Sequence, residues 1–206
     1  SSRAAQDAWA RKSHQRAVAG WTNGFFDDLV VPLPELTRDA NPRADTSIER
    51  LAALKPAFDR DSGLGSITAG NSSPITDGAA GCWVANEAGI ARLPTDTPHV
   101  RLVDYEVSAV DLHTEGLLMA PSYGIPRLLS RHRLGFSDIA LWEIHEAFAA
   151  QVLANVAAIT DPDWVRAKAG VEADMGPFDW ERVNPMGGSV AIGHPFGATG
   201  ARDLSQ

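Results

Sequence analysis

Residues 183–200 (VNPMGGSVAIGHPFGATG) hold five glycines and one histidine, and no other stretch limits the folding of this chain so strictly. Gly187 and Gly188 make a turn that admits positive φ, and Val190, Ala191 and Ile192 read as a short apolar strand. Gly193, His194 and Pro195 interrupt that strand, and a small-residue helix is expected from about Gly197. His194 is thereby placed at a strand-to-helix corner, with Pro195 stiffening its backbone. In an α/β sheet, corners beyond the carboxyl ends of strands present catalytic side chains. A tight turn whose histidine only caps a helix satisfies the same residues.

Spelling removes several chemistries. Gly193-x-x-x-Gly197-x-x-Gly200 is not a dinucleotide fingerprint, and no Lys-Ser/Thr pair follows to make a phosphate loop. Ser189 lacks the second glycine of a nucleophile elbow and is a poor hydrolase nucleophile. His145-Glu146-Ala147-Phe148-Ala149 opens like a zinc-protease helix, but Ala149 stands where the second histidine belongs. Cys82 is the only cysteine, so neither a disulfide framework nor a multi-cysteine metal site is available. A reducing compartment and no metal are expected. The formal charge of −8 argues against nucleic acid and anionic membranes as partners. No apolar run reaches the roughly 20 residues of a membrane span.

In chain order, a helix is expected over 3–19, a short strand over 25–34, and a short helix from Ser47 that Pro56 stops. His14 reads as a surface or packing residue. Residues 59–76 are rich in Gly, Ser and Thr, which suits either close approach of a ligand to the backbone or a plain surface loop. A buried strand over 79–84 would enclose Cys82 as a small hydrophobe. After a helix over 86–93 comes the best linker, 94–98 (PTDTP). Alternation then predicts a long strand over 99–112, a helix through Ile125 and Leu129, an apolar strand over 139–144 and a helix to about Ile159. Residues 161–180 read as a polar insertion of low periodicity. The alternating elements argue α/β, with His145 and His194 opening onto one edge of the sheet.

Four ordered segments of this sequence resemble the thiolase family. Residues 142–151 (WEIHEAFAAQ) are similar to its N-E-A-F-A motif, in the H-E-A-F form of trifunctional fatty-acid oxidation complexes. Residues 184–202 match N-x-x-G-G-x-x-x-x-G-H-P-x-G-A-[ST]-G-A-R, and residues 68–80 match T-A-G-N-x-S-x-x-x-D-G-A-A. Residues 6–17 resemble the helix that precedes them.

The resemblance implies a layered αβαβα fold, partly represented. Residues 1–93 would be the end of the N-terminal half, and residues 94–206 most of the C-terminal half, short of its final cysteine motif. It implies acyl transfer between a cysteine and coenzyme A: thiolysis of a 3-oxoacyl-CoA or the reverse Claisen condensation, with no cofactor beyond the CoA thioester. His194 would take the nucleophile's proton and then serve the oxyanion. His145 would hold a water completing the oxyanion hole, and Ser73 would bond the pantetheine arm. Gly187, Gly188, Gly193 and Pro195 form the supporting turn. Cys82 matches no family cysteine, so the chain alone is expected to be inactive. A truncated, non-catalytic CoA-binding or subunit-interaction module is the alternative. A homodimer or tetramer, a hydratase/dehydrogenase partner, and a cytoplasmic or mitochondrial-matrix location complete the expectations.

Overall fold

The computed structural model describes residues 1–206. Its longest element, α1 (Arg3–Thr22), starts where Ser2 Oγ accepts from the Ala5 amide at 3.2 Å and ends where the Asn23 amide turns back to Ala19. One face of α1 is buried over its whole length, including the polar Gln6, Asp7, Ser13 and His14. A helix with that many buried polar groups must find partners for each, and α1 finds them in the segments that follow.

The short α2 (Ile48–Ala52) is capped by Ser47 and lays Leu51 against Ala10 of α1 and Val190. Arg3 fastens it by donating to the Leu51 and Leu54 carbonyls. The loop over 66–74 is also fixed to α1, in contrast to a plain surface loop. Thr68 and Asn71 are fully buried, and Asn71 Nδ2 donates to Asp7 Oδ1 at 3.0 Å while its Oδ1 accepts from the Thr68 amide.

After α3 (Glu87–Ile90), α4 (Ala120–His132) and α5 (Ala149–Ile159) pack on one another. Their shared core joins Leu129, Phe136 and Ile159 to Val165, Ala169, Val171 and Met175. The segment 161–180, expected to be polar, thus contributes Val165, Ala169, Val171 and Met175 to this core. Its helical turn α6 (Pro162–Trp164) and the wider turn after it bury apolar side chains without a regular period. Burying Val165, Val171 or Met175 contributes about 1.5–3 kcal/mol each before the entropy cost of ordering the chain. The one-turn α7 (Ser189–Ile192) crosses α1, and α8 (Thr199–Ser205) closes the chain.

The expected strands differ most. Pairing is confined to isolated bridges, among them Ser72 with Phe148 and a parallel Trp142–Val183 pair whose Trp142 amide donates to Arg182. Residues 25–29 form turns, Leu33 makes only an isolated bridge to Leu36, and 79–84 have no regular structure, which leaves Cys82 exposed instead of buried. The alternation over 99–112 is present but faces outward. Asp104 and Glu106 bond Arg131 of α4, while Tyr105 and Val107 are 72% and 83% exposed. A strand without a hydrogen-bonded neighbour has nothing against which to bury its apolar face. Residues 190–192 are helical, because the Ala191 and Ile192 amides both return to Gly188 O. His194 thus stands at a corner between two short helices, not after a strand. No helix is long and apolar enough to cross a membrane.

Candidate active site

The corner is set by backbone geometry. Gly193 has φ +119°, and a Cβ there would lie 2.6 Å from Thr76 Oγ1. The His194 amide then donates to Pro74 O at 3.0 Å, which ties the histidine to the 66–74 loop. From the same loop the Ser73 amide donates to Ala147 O at 3.0 Å, next to His145-Glu146. Gly187, at φ +79°, packs so closely on α1 that a Cβ would lie 2.6 Å from Ser13 O. Pro195 lies against Gly78, where an added Cβ would approach its Cγ to 2.8 Å. The structure therefore brings together His194, His145 and the backbone of Ser73, with the four residues of the supporting turn around them.

The two imidazoles lie side by side, their centroids 4.1 Å apart. His145 Nδ1 is 2.9 Å from Ser189 Oγ, and His194 Nδ1 is 2.8 Å from Thr199 Oγ1. Thr199 Oγ1 donates to Pro195 O, leaving its lone pair for an Nδ1–H of His194. With each Nδ1 held by a hydroxyl, the Nε2 atoms are the free reactive nitrogens. Phe196, 75% exposed, covers the outer face of His194 with centroids 4.6 Å apart. Burial, then the neighbouring His194 and Arg202, lowers the His145 pKa to about 4. Burial also lowers that of His194, with Asp203 opposing. Both rings are therefore neutral at pH 7, the state in which an imidazole acts as base or neutral donor.

Beneath them lies a hub that the sequence reading did not single out. The Glu146 carboxylate is fully buried and accepts from Trp9 Nε1, Ser13 Oγ, Asn184 Nδ2 and the Val190 amide, at 3.0, 2.7, 2.8 and 3.2 Å. It joins α1 to the glycine turn. Gly188 has no side chain because a Cβ would lie 2.4 Å from Glu146 Cδ. Burial raises the Glu146 carboxyl above the usual range, and its four donors oppose that rise. An acidic residue within an apolar run was the available signal.

Glu143, Arg202 and Asp203 were also missed. Arg202 Nη2 donates to Ser189 Oγ at 3.1 Å and pairs with Asp203 at 2.5 Å. Burial, then the charge of Asp203, raises the Glu143 pKa to about 7 from 4.5. A carboxyl raised in the folded state binds its proton more tightly there than in the unfolded chain. Its stabilising contribution is full below about 4.5 and is lost as pH rises through about 7. His14 and His145, both lowered to about 4, have the opposite sign, and their change is complete by about 6.5. Glu143→Gln is therefore expected to change the stability difference between parent and variant by about 1–2 kcal/mol, after solvent screening, between pH 5 and pH 8, most of it below pH 7. Unfolding curves at both pH values for parent and variant measure it. No cluster of three or more His, Cys, Asp or Glu is arranged to hold a metal.

A cavity of about 520 Å³ opens beside this site, lined by Arg43, Arg50, Ala69, Gly70, Pro74 and Val190 among others. It shares Pro74 with the His194 backbone bond. Arg50 is paired with Asp45, whereas Arg43 has no ion-pair partner.

The comparisons with known proteins converge. A sequence model of the thiolase N-terminal domain matches residues 1–88, and one of the thiolase C-terminal domain matches residues 96–206. The chain is 41% identical over 207 residues to the 3-ketoacyl-CoA thiolase of Serratia proteamaculans, covering 98% of this chain and 47% of that protein. Against the Yersinia enterocolitica 3-ketoacyl-CoA thiolase it is 41% identical over 211 residues, covering 100% of this chain and 48% of the relative. The chain thus spans about half the length of the curated relatives it matches. Among solved structures, the Bacillus anthracis acetyl-CoA acetyltransferase superposes with a TM-score of 0.76 at 34% identity, over 99% of this chain and 48% of that one. The dimeric peroxisomal thiolase of Saccharomyces cerevisiae does so with 0.75 at 33%, over the same shares. A fold shared with these enzymes, two family domains matched in order, and the paired histidines on a glycine turn lead to one assignment: this chain belongs to the thiolase family.

Proposed function

We propose that the protein carrying this chain is a thiolase-type acyltransferase, which cleaves 3-oxoacyl-CoA with CoA or runs the reverse condensation, in fatty-acid oxidation. The observation that carries this reading is the imidazole pair at 4.1 Å, each ring held by Nδ1 so that its Nε2 is left free. A reaction that needs a base for a thiol and a donor for a neighbouring oxyanion is served by such a pair. His194 Nε2 takes the proton of a cysteine thiol and later returns it. His145 Nε2, directly or through a water, stabilises the thioester oxyanion. Cys82, exposed on the irregular segment 79–86, has no part in this scheme.

CoA enters through the neighbouring cavity, its pantetheine arm running past Ser73 toward the histidines and its phosphates meeting the unpaired Arg43. Titration calorimetry with CoA and with pantetheine tests this. Arg43→Ala should weaken CoA about tenfold and leave pantetheine unchanged, and Ser73→Ala should weaken both. Unchanged CoA affinity in both variants overturns the assignment of the cavity.

The proposal extends to a homodimer or tetramer and to a hydratase/dehydrogenase partner. The outward apolar face at Tyr105 and Val107 also supports a second reading, a non-catalytic CoA-binding or subunit-interaction module. CoA binding without acyl transfer in the complete protein would select it.

A further inference from the structure

Ser189 has one hydrogen to give, and the structure indicates where it goes. Its Oγ is fully buried within α7 and has two polar neighbours, Arg202 Nη2 at 3.1 Å and His145 Nδ1 at 2.9 Å. A guanidinium can only donate, so Arg202 occupies one oxygen lone pair. If His145 also donated, the Ser189 hydroxyl hydrogen would be buried without an acceptor, at a cost of about 1–3 kcal/mol. The arrangement that satisfies all three groups runs in one direction, from Arg202 to Ser189 and from Ser189 to His145 Nδ1.

We infer that Ser189, polarised by Arg202, is a positioning residue that holds His145 as the Nε2–H tautomer, with its proton pointed away from α7. The neighbouring ring is set the other way. Thr199 donates to Pro195 O and so accepts from His194 Nδ1, which leaves His194 Nε2 unprotonated. Two imidazoles 4.1 Å apart thereby offer unlike nitrogens, one a donor and one a base, without a net charge on either. Ser189 acts on the reaction only through His145, and the consequence for acyl transfer rests on the function proposed above.

Nitrogen-15 NMR of the histidine rings in the complete protein at pH 7 tests the inference and requires no turnover. The expected result is a protonated Nε2 and an unprotonated, hydrogen-bonded Nδ1 for His145, with the reverse for His194. Ser189→Ala should shift the His145 Nδ1 resonance toward the value of a free, unbonded nitrogen, and Ser189→Thr should restore it. In turnover, Ser189→Ala should lower kcat about tenfold with KM nearly unchanged, recovered by Ser189→Thr. A His145 ring protonated at Nδ1 in the parent overturns the inference, as does an Nδ1 resonance indifferent to Ser189→Ala. Failure of the acyl-transfer reading has a separate signature, a parent with the stated ring states whose turnover does not depend on His194.

Discussion

His194→Ala is expected to slow acylation of the complete protein by about a hundred- to ten-thousand-fold, with little change in thermal stability. The ring is asked to act as base toward a thiol and then as donor to an oxyanion, and each role alone is worth about two or more orders of magnitude. The fold does not depend on that imidazole. His194 is partly exposed, its backbone is held independently by the Pro74 carbonyl, and its side chain bonds only Thr199. Stopped-flow acylation with 3-oxoacyl-CoA, alongside unfolding curves, separates the two effects. Loss of acylation accompanied by loss of the folded state would assign His194 a structural role instead.

Glu146→Ala is expected to do the reverse, destabilising the protein by about 3–5 kcal/mol and costing activity only as a consequence. Its removal leaves Trp9 Nε1, Ser13 Oγ, Asn184 Nδ2 and the Val190 amide facing a void, four donors that a carboxylate had satisfied. Glu146→Gln keeps the volume but has one acceptor oxygen, and its amide group meets the Val190 N–H, so an intermediate loss is expected. Chemical denaturation of the three proteins gives the order parent, Gln, Ala. Equal stability of Ala and parent would show that water replaces the carboxylate without cost and that the hub does not hold the turn.

These two residues differ in how far the sequence exposed them. His194 was legible because glycine and proline punctuate the chain around it, and punctuation is local. Three helices were legible for the same kind of reason: α1, expected over 3–19 and running on to Thr22, the short α2 expected from Ser47, and α5 from the spacing of Val152, Val156 and Ile159. The partners of Glu146 lie up to 137 residues away, and Arg202 reaches Ser189 across 13, so neither network leaves a local pattern. Strand assignments failed on the same distinction. The alternation over 99–112 is real, but whether it becomes a ladder depends on a neighbour, and its polar side turned toward Arg131 of α4. Val190, Ala191 and Ile192 have strand-like composition, and the closeness of Gly188 to Glu146 settles them into a helical turn instead.

The central claim is that His194 and His145 form one acyl-transfer site with unequal roles. Single-turnover formation of the acyl-enzyme in the complete protein, compared for parent, His194→Ala, His145→Ala and His145→Asn, tests it most directly. His194→Ala is expected to be slowest and His145→Ala intermediate, while His145→Asn retains most of the parent rate because an amide can hold the same water. Acylation by His194→Ala at the parent rate, or equal damage in His145→Asn and His194→Ala, would contradict it.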